Sequence, residues 1–295
     1  MIETYKEYFD YCKDQYQGEF YGELPLEDLT VKKYSKGDPS FKWPDDYQSK
    51  IKNIHDYCKL KIEKREGLFD PEHQNIIKVD DYYGCPEVTE LGNFFSEYLE
   101  KNTYNCYSVV EAVLIYESLP NEYNRSSWMW HYDDDIEQQL KLMVYLNDVE
   151  EDTGAFEVLA NSGGDGLAMK SSKIGPSTKT AQTYEGSRIP EEDIERFNGL
   201  GYSSYKIAGK AGTFCLFNPN CIHKATVPKK QPHRLCMIYN FRPYHKKEIS
   251  RVSKSFTKSW SNLGNIKEYD IEASASTSSW GPSGEGWRRV ENNNG

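Results

Sequence analysis

The sequence predicts a mainly β protein, a β-sandwich or jelly roll, with helices flanking the strands. From about residue 106 onward, short runs rich in β-branched and aromatic residues alternate with Gly, Pro, Asn and Asp clusters, as is typical of strands joined by turns. Long helical patterns do not alternate with these runs, which disfavours a parallel α/β sheet. The chain also contains 23 Tyr, 12 Phe and 6 Trp residues, and this aromatic content favours β structure and well-filled pockets.

The predicted elements follow in order along the chain. Residues 1–105 are predicted to be mostly helical, because Asp46–Lys64 and Val88–Lys101 carry apolar side chains at helical spacing. Six strands are then predicted, at Val109–Tyr116, Gln139–Leu146, Ala155–Leu159, Ser203–Ile207, Thr213–Phe217 and Arg234–Phe241.

One long segment, residues 161–200, interrupts the predicted strands and contains a short predicted helix at Pro190–Asn198. A loop of this length inside a compact domain is usually functional or disordered. It falls between the two halves of the candidate metal site described below, so we interpret it as a substrate-covering lid. The whole chain is interpreted as one domain over 1–295, with an N-terminal helical region over 1–105, a β core over 106–247 and a C-terminal extension over 248–295.

Charge and cysteine content restrict the partners and the environment. The net charge of −10 argues against nucleic acid as the main partner, because phosphate binding needs a basic surface. The apolar runs are too short to cross a bilayer, and the N-terminus has no secretory signal pattern, so no membrane association is expected. The seven cysteines are odd in number and include no CxxC pair, so we expect a reducing cytoplasm.

One stretch of the chain is locally basic. It contains Lys229, Lys230, His233 and Arg234, followed by further basic residues between 242 and 247. Either this stretch is a solvated basic edge, or it forms a positive mouth beside the site that attracts an anionic small-molecule substrate.

Three residues form a candidate metal site. His131 and Asp133 are two residues apart, so on a strand both side chains point to one face while Trp130 and Tyr132 point to the other. His223 follows an apolar run and a turn at 218–220 that could bring it over the same site. Two histidines and one carboxylate are the ligand set of non-heme Fe(II) oxygenases, which leave coordination positions open for a cosubstrate and O2.

Alternatives to this ligand set remain open. Each histidine taken alone could be a hydrogen-bonded core residue. Asp134 and Asp135 compete with Asp133 for the carboxylate position, although Asp134 would face away from His131 and Asp135 would share its face only on an unbroken strand.

Arg234 is a candidate binding residue for an anionic cosubstrate. It begins a predicted strand whose alternation places Arg234, Cys236, Ile238 and Asn240 on one face. A buried guanidinium has to be paired, and its planar fork suits bidentate binding of a carboxylate. The alternative is an internal salt bridge to an Asp or Glu of the chain.

Several segments resemble the phytanoyl-CoA dioxygenase-like family of Fe(II)- and 2-oxoglutarate-dependent oxygenases. The resemblance covers about residues 106–245 and depends on the order and spacing of the segments more than on identity. The matching segments are Trp130-His131-Tyr132-Asp133, Tyr145-Leu146-Asn147-Asp148-Val149, Thr153-Gly154-Ala155-Phe156, Ala211-Gly212-Thr213-Phe214-Cys215-Leu216-Phe217, His223 and Arg234.

The resemblance implies a fold, a ligand set and a reaction. The implied fold is a double-stranded β-helix, a cupin-like jelly roll, with the N-terminal helices packed on one sheet. His131, Asp133 and His223 would bind iron, and Arg234 would bind the distal carboxylate of 2-oxoglutarate. The implied enzyme is a dioxygenase that hydroxylates an unactivated C–H bond of a small molecule and releases succinate and CO2. Asp133 favours oxygen transfer, because related halogenases have a small residue at this position.

Five further residues are candidates for the pocket, and some of them have core packing as the alternative role. Lys141, Met143 and Tyr145 share one face of the strand after the His-x-Asp motif, where relatives line their pocket, so Lys141 and Tyr145 are candidate cosubstrate contacts and Met143 a candidate pocket residue. Trp128 and Trp130 either line the substrate pocket or pack between sheet and helices. No catalytic residue is expected beyond the iron ligands.

The family pattern and the function also leave points open. After Gly154 relatives usually continue to a Pro-Gly-Ser-His motif, whereas this chain has Leu159-Ala160-Asn161-Ser162-Gly163-Gly164. This departure concerns the substrate and the lid and does not affect the iron ligands. Two further functions remain alternatives, a cupin-like metal-binding or sensor protein with little turnover and an oxygenase that acts on a peptidyl substrate.

Overall fold

The computed structural model describes most of the predicted core and parts of the N-terminal region. The described residues are 32–34, 41–64, 68–69, 76–79, 82, 84–104, 108–120, 126–133, 139–161, 188–219 and 221–243. The competing ligands Asp134 and Asp135, residues 162–187 of the predicted lid and the C-terminal extension lie outside them.

Three α-helices and ten strands are present in the described residues. The helices are α1 (Tyr47–Lys64), α2 (Pro86–Leu99) and α3 (Glu191–Gly199). The strands are β1 (Lys32–Tyr34), β2 (Leu68–Phe69), β3 (Ile76–Val79), β4 (Ser108–Ser118), β5 (Leu140–Tyr145), β6 (Phe156–Asn161), β7 (Tyr202–Ile207), β8 (Phe214–Phe217), β9 (His223–Ala225) and β10 (Leu235–Pro243).

Helices α1 and α2 form as the apolar spacing predicts. In α1 the buried positions include Ile51, Ile54 and Cys58, which are three or four residues apart and therefore lie on one face. Helix α2 begins with a proline, which is favoured in a first turn because its missing N–H is not needed there. A five-residue π-helical turn, Glu100–Tyr104, follows α2 directly.

The strands form two antiparallel sheets. The larger sheet has the order β1-β8-β5-β10-β4-β3-β2, and the smaller has the order β7-β6-β9. The central strand β10 pairs with both β4 and β5, and Cys236 lies between Tyr116 and Tyr145 in the register. Two facing antiparallel sheets, with α1 and α2 on the outer side of the large sheet, are a jelly-roll arrangement, as expected.

Apolar side chains form two layers, one on each face of the large sheet. The helix-side cluster joins α1 and α2 to the sheet and includes Ile54, Phe95, Leu142, Val144, Met237 and Tyr239. The intersheet cluster lies between the sheets and includes Met143, Tyr145, Phe156, Val158, Cys236 and Ile238. Neighbouring residues of β5 and β10 thus alternate between the two layers, which places the predicted pocket face on the intersheet side.

The six predicted strands and the helix within 161–200 are confirmed to within a few residues. The expectation that residues 1–105 are mostly helical is incomplete, because β1, β2 and β3 pair at the two edges of the large sheet. These strands are two to four residues long, too short to show a periodic pattern in the sequence.

Two further features concern the cysteines and the helices. Cys58, Cys85, Cys215, Cys221 and Cys236 are buried free thiols. Within the described ranges, no helix is both long enough and apolar enough to pass through a membrane.

The contact between Tyr239 and Val88 links β10 to the N-terminal helices. The buried Tyr239 hydroxyl donates a hydrogen bond to the Val88 carbonyl at 2.6 Å. We expect Tyr239→Phe to lower the free energy of unfolding by about 1–2 kcal/mol, because the carbonyl loses its buried donor. Urea denaturation measures this change. Tyr205→Phe, at a tyrosine that is 50% exposed, should leave stability unchanged, and equal effects of the two substitutions would contradict the prediction.

Candidate metal centre

Backbone pairing places His131 and His223 side by side. The His131 N–H donates to the His223 carbonyl at 2.9 Å, and the His223 N–H donates to the His131 carbonyl at 2.8 Å. His223 begins β9, where it lies opposite Val158 of β6. Directly opposed residues of an antiparallel pair project to the same face, so both imidazoles lie on the intersheet face with Val158.

Asp133 completes the predicted group. Its backbone N–H donates to the Pro219 carbonyl at 2.9 Å, which ties the His-x-Asp segment to the turn before β9. His131 forms isolated bridges to Arg188 and His223 rather than part of a longer strand, but the expected alternation holds. His131 and Asp133 share a face, whereas Trp130 and Tyr132 pack in a separate cluster with Ile189.

The ligand atoms of the three side chains converge on one point between them. The Asp133 oxygens lie 3.5 Å from Nε2 of His131 and 3.6 Å from Nε2 of His223. One ligand atom from each residue lies within 4.8 Å of the others, and all three residues are buried. Adjacent ligands of an octahedral ion with bonds of about 2.1 Å are about 3 Å apart, so a small contraction would bring the three atoms onto one octahedral face.

Hydrogen bonds orient both imidazoles toward the centre. Nδ1 of His131 bonds to the Met129 carbonyl and Nδ1 of His223 to the Cys221 carbonyl, each at 2.8 Å. A carbonyl can only accept, so Nδ1 carries the hydrogen in both rings and the Nε2 lone pair is left for a metal. Such bonds to the second ring nitrogen are the usual way in which proteins fix a metal-binding histidine.

The charges of the group also suit metal binding. Burial, together with neighbouring His131, lowers the pKa of His223 to about 3, so this imidazole is neutral near pH 7. Burial opposes ionisation of Asp133, but the neighbouring ammonium of Lys141 holds the pKa of that carboxyl well below its usual range. A neutral imidazole and an ionised carboxylate are the protonation states in which these side chains bind a cation.

Lys141 lies beside the candidate ligands. From β5 its buried Nζ donates to Oδ2 of Asp133 at 2.5 Å, so an ammonium group contacts the carboxylate. This pairing could not be read from the sequence. The expected contact of Lys141 with the cosubstrate stays a prediction.

Lys141→Met should destabilise the metal-free protein more than the metal-loaded one. Without Lys141 the buried Asp133 carboxylate loses its cationic partner, which we expect to lower the free energy of unfolding by about 3 kcal/mol. A bound divalent cation takes over that role, so thermal denaturation with and without metal should show larger metal-induced stabilisation in the variant than in the unmodified protein.

Lys210→Met is the matched control, because Lys210 pairs with Asp148 on the surface and its side chain is 81% exposed. It should change stability little with or without metal. Equal metal-induced stabilisation in Lys141→Met and the unmodified protein would contradict the prediction.

Arg234 is buried with part of its guanidinium unsatisfied. Nη2 donates to Oγ of Ser118 at 3.0 Å, and the Tyr116 hydroxyl lies 3.5 Å away. Nε and Nη1 have no hydrogen-bond partner among the described residues. None of the salt bridges found among these residues involves Arg234. The internal salt bridge considered from the sequence is thus not found in the described part, and two buried N–H donors are left for an anion.

Gly154 allows the chain to pass close to Arg234. The Arg234 N–H donates to the Thr153 carbonyl at 2.9 Å, and Gly154 has φ +109°, a conformation that favours glycine. A Cβ at position 154 would lie 3.3 Å from Cβ of Arg234. Gly154 therefore allows the Thr-Gly-Ala-Phe segment to pack closely against the residue that precedes β10.

One cavity between the sheets contains all four principal candidates. Its walls include His131, Asp133, His223 and Arg234, together with Lys141. The apolar part of the wall is formed by Leu114, Met143, Phe156, Phe217, Ala225 and Ile238. Met143 lines this cavity, and its contact with a substrate stays a prediction. Tyr116, Ser127 and the two phenylalanines are lining residues that sequence reasoning missed.

The other predicted pocket residues lie elsewhere. The Tyr145 hydroxyl donates to the Ile207 carbonyl at 2.6 Å and accepts from the Phe156 N–H at 3.2 Å, so it links the two sheets outside the cavity wall. Trp130 packs on the opposite face, with Nζ of Lys224 4.4 Å from its ring centroid. Trp128 is buried next to the lining residue Ser127. Cosubstrate or substrate contacts of these three residues stay predictions.

The chain shows partial similarity to several solved structures. No family model matches the chain, and no curated protein matches it. Among solved structures it is similar to SnoK, a non-heme alpha-ketoglutarate-dependent carbocyclase from nogalamycin biosynthesis, with 12% identity, a TM-score of 0.49 and coverage of 76% of this chain and 86% of that chain.

Two further solved structures show a similar degree of likeness. HygX from Streptomyces hygroscopicus, with nickel and 2-oxoglutarate bound, has 11% identity, a TM-score of 0.48 and coverage of 85% and 91%. EctD from S. alaskensis, with 2-oxoglutarate and 5-hydroxyectoine, has 12% identity, a TM-score of 0.49 and coverage of 79% and 77%. These comparisons do not confirm the phytanoyl-CoA dioxygenase-like branch, which stays a prediction.

Proposed function

We propose that this protein is an Fe(II)- and 2-oxoglutarate-dependent oxygenase. The observation that carries the proposal is the shared cavity, in which a His-Asp-His group faces the same space as a buried arginine. Two N–H donors of that arginine have no partner in the part of the chain that the structure describes. A site that binds only a metal does not explain the buried arginine. A site that binds only an anion does not explain the two Nε2 lone pairs that point toward Asp133.

The residues present fit both groups. His131, Asp133 and His223 would hold Fe(II) as its three protein ligands, and such a ligand set leaves coordination positions for the cosubstrate and O2. Nε and Nη1 of Arg234 would bind the distal carboxylate of 2-oxoglutarate. When bound, iron and 2-oxoglutarate supply the oxidation of a substrate by O2, with succinate and CO2 as co-products.

The remaining residues shape the site. The apolar walls, including Met143, Phe156 and Phe217, exclude water and so strengthen the polar interactions of the few charged groups inside. Lys141 offsets the charge of Asp133 before a metal binds. We infer a small-molecule substrate and hydroxylation of a C–H bond as the specific reaction, with the cytoplasm as its compartment.

Spectroscopy of the purified protein tests the proposal. Anaerobic addition of Fe(II) and 2-oxoglutarate should give the visible charge-transfer band of a chelated 2-oxoacid, and the band should disappear in His131→Ala. His55→Ala, a histidine of α1, should retain it. Succinate release, screened over amino acids, acyl thioesters, peptides and secondary metabolites, then identifies the substrate class.

The possible outcomes separate the alternatives. Fe(II) binding without a 2-oxoglutarate-dependent band would favour the cupin-like metal-binding or sensor protein. Succinate release triggered only by peptides would favour a peptidyl substrate. A protein that binds neither Fe(II) nor 2-oxoglutarate contradicts the proposal.

A further inference from the structure

The carboxylate of Asp133 faces both candidate histidine ligands with different oxygens. Oδ1 lies 3.5 Å from Nε2 of His131, and Oδ2 lies 3.6 Å from Nε2 of His223. A carboxylate can bind a cation through one oxygen or through both. The two histidines alone therefore do not decide which oxygen of Asp133 would bind a metal.

Lys141 distinguishes the two oxygens. Its Nζ donates to Oδ2 of Asp133 at 2.5 Å. The side chains of Lys141 and Asp133 are 3% and 7% exposed, so water screens the pair little. Hydrogen bonds between two charged groups are among the stronger ones in proteins, and this one engages Oδ2 rather than Oδ1.

The fold brings Lys141 to Asp133 from the opposite sheet. Asp133 lies two residues after His131, which pairs with the small sheet, whereas Lys141 belongs to β5 of the large sheet. Asn240 lies directly opposite Lys141 in the register, and its buried Oδ1 has no hydrogen-bond partner among the residues that the structure describes. The Lys141 ammonium thus donates to the carboxylate across the cavity and not to this neighbouring acceptor.

The backbone of Asp133 is held without Lys141. Its N–H donates to the Pro219 carbonyl at 2.9 Å, in the turn before β9. Substitution of Lys141 should therefore leave Asp133 beside the histidines and change only the orientation of its carboxylate.

We propose that Lys141 is a positioning residue that makes Asp133 bind the metal through Oδ1 alone. This inference rests on the proposed function, since it concerns the ligands of that site. An aspartate that binds through both oxygens takes up one coordination position more than an aspartate that binds through one. Lys141 would therefore preserve an open position beside the chelating 2-oxoglutarate, and that position is available to O2.

Crystal structures of the Ni(II)-loaded protein test the inference without turnover. In the unmodified protein one oxygen of Asp133 should bind Ni(II), and the other should keep its contact with Lys141. In Lys141→Met both oxygens should bind Ni(II), because no ammonium holds Oδ2. Lys141→Arg should retain binding through one oxygen, since a guanidinium supplies the same charge and an N–H donor. A Lys141→Met protein that folds only with Ni(II) present still gives the required structure.

Ni(II) affinity gives a second measurement, in solution. Lys141→Met should bind Ni(II) at least about tenfold more tightly, because a cationic neighbour is removed and a second oxygen joins the metal. Lys141→Arg should bind it as the unmodified protein does. A purely structural role of Lys141 predicts the opposite sign, because loss of the hydrogen-bond partner of a metal ligand usually weakens binding by about ten- to hundredfold.

Lys224→Met is the matched control. Lys224 directly follows the ligand His223, but its Nζ lies 4.4 Å from the ring centroid of Trp130, which packs on the opposite face. This substitution should change neither the coordination by Asp133 nor the Ni(II) affinity.

The outcomes separate this inference from the proposed function. Binding through both oxygens in the unmodified protein, or through one oxygen in Lys141→Met, overturns the inference and leaves the three ligands of the proposed function in place. Ni(II) that does not bind to His131, Asp133 and His223 in the unmodified protein overturns both.

Discussion

Replacing His223 with alanine is expected to weaken Fe(II) binding at least about hundredfold and to reduce succinate formation to background. Loss of a residue that only orients a ligand costs metal sites about ten- to hundredfold in affinity, and loss of the ligand itself costs more. The remaining pair, His131 and Asp133, cannot define an octahedral face. Anaerobic titration against a competing chelator measures the affinity, and succinate analysis measures turnover.

His223 is a cleaner position for this experiment than Asp133. Its imidazole is neutral, because burial and His131 lower the pKa of His223 to about 3, so its removal leaves no buried charge. Removal of Asp133 would leave the ammonium of Lys141 without its 2.5 Å partner and would confound metal loss with destabilisation.

Cys221→Ala is the matched control for His223→Ala. Cys221 is fully buried, and its Sγ lies 3.9 Å from Nδ1 of His223, but the bond that orients the imidazole goes to the Cys221 backbone carbonyl. Truncating the thiol should therefore leave Fe(II) affinity unchanged within a few-fold. Fe(II) affinity in His223→Ala equal to that of the unmodified protein would refute the assignment of this ligand.

The sequence could predict the parts of the site that depend on local geometry. The two-residue spacing of His131 and Asp133 and the alternation of β10 depend only on the extended backbone, and both hold in the structure. The same alternation correctly gave Met143 an intersheet position. The helices α1 and α2 were predicted for the same reason, because each buries one periodic face.

Contacts between distant segments could not be predicted in this way. The reciprocal hydrogen bonds of His131 and His223, the Lys141–Asp133 pair and the Ser118 contact of Arg234 all depend on which strands become neighbours. Tyr145 was expected at the cosubstrate from its face alone, whereas hydrogen bonds to two backbone groups engage its hydroxyl.

Arg234→Met is expected to weaken 2-oxoglutarate binding by about two to three orders of magnitude while leaving Fe(II) affinity unchanged. Truncating one member of a buried, hydrogen-bonded charge pair costs about 2–5 kcal/mol, and each 1.4 kcal/mol is tenfold in affinity. Arg234 is not among the candidate ligands, so the metal should still bind. Titration of the charge-transfer band with 2-oxoglutarate measures the loss.

Graded substitutions and a shorter cosubstrate identify the cause of that loss. Arg234→Lys should be intermediate, because an ammonium keeps the charge but not the bidentate fork. Ser118→Ala removes only the 3.0 Å partner of Nη2 and should cost about tenfold or less. 2-Oxobutyrate chelates a metal in the same way but has no distal carboxylate, so its binding should be equal in the unmodified protein and in Arg234→Met. If Arg234→Met still prefers 2-oxoglutarate over 2-oxobutyrate as strongly as the unmodified protein does, another residue binds the distal carboxylate and the role assigned to Arg234 is wrong.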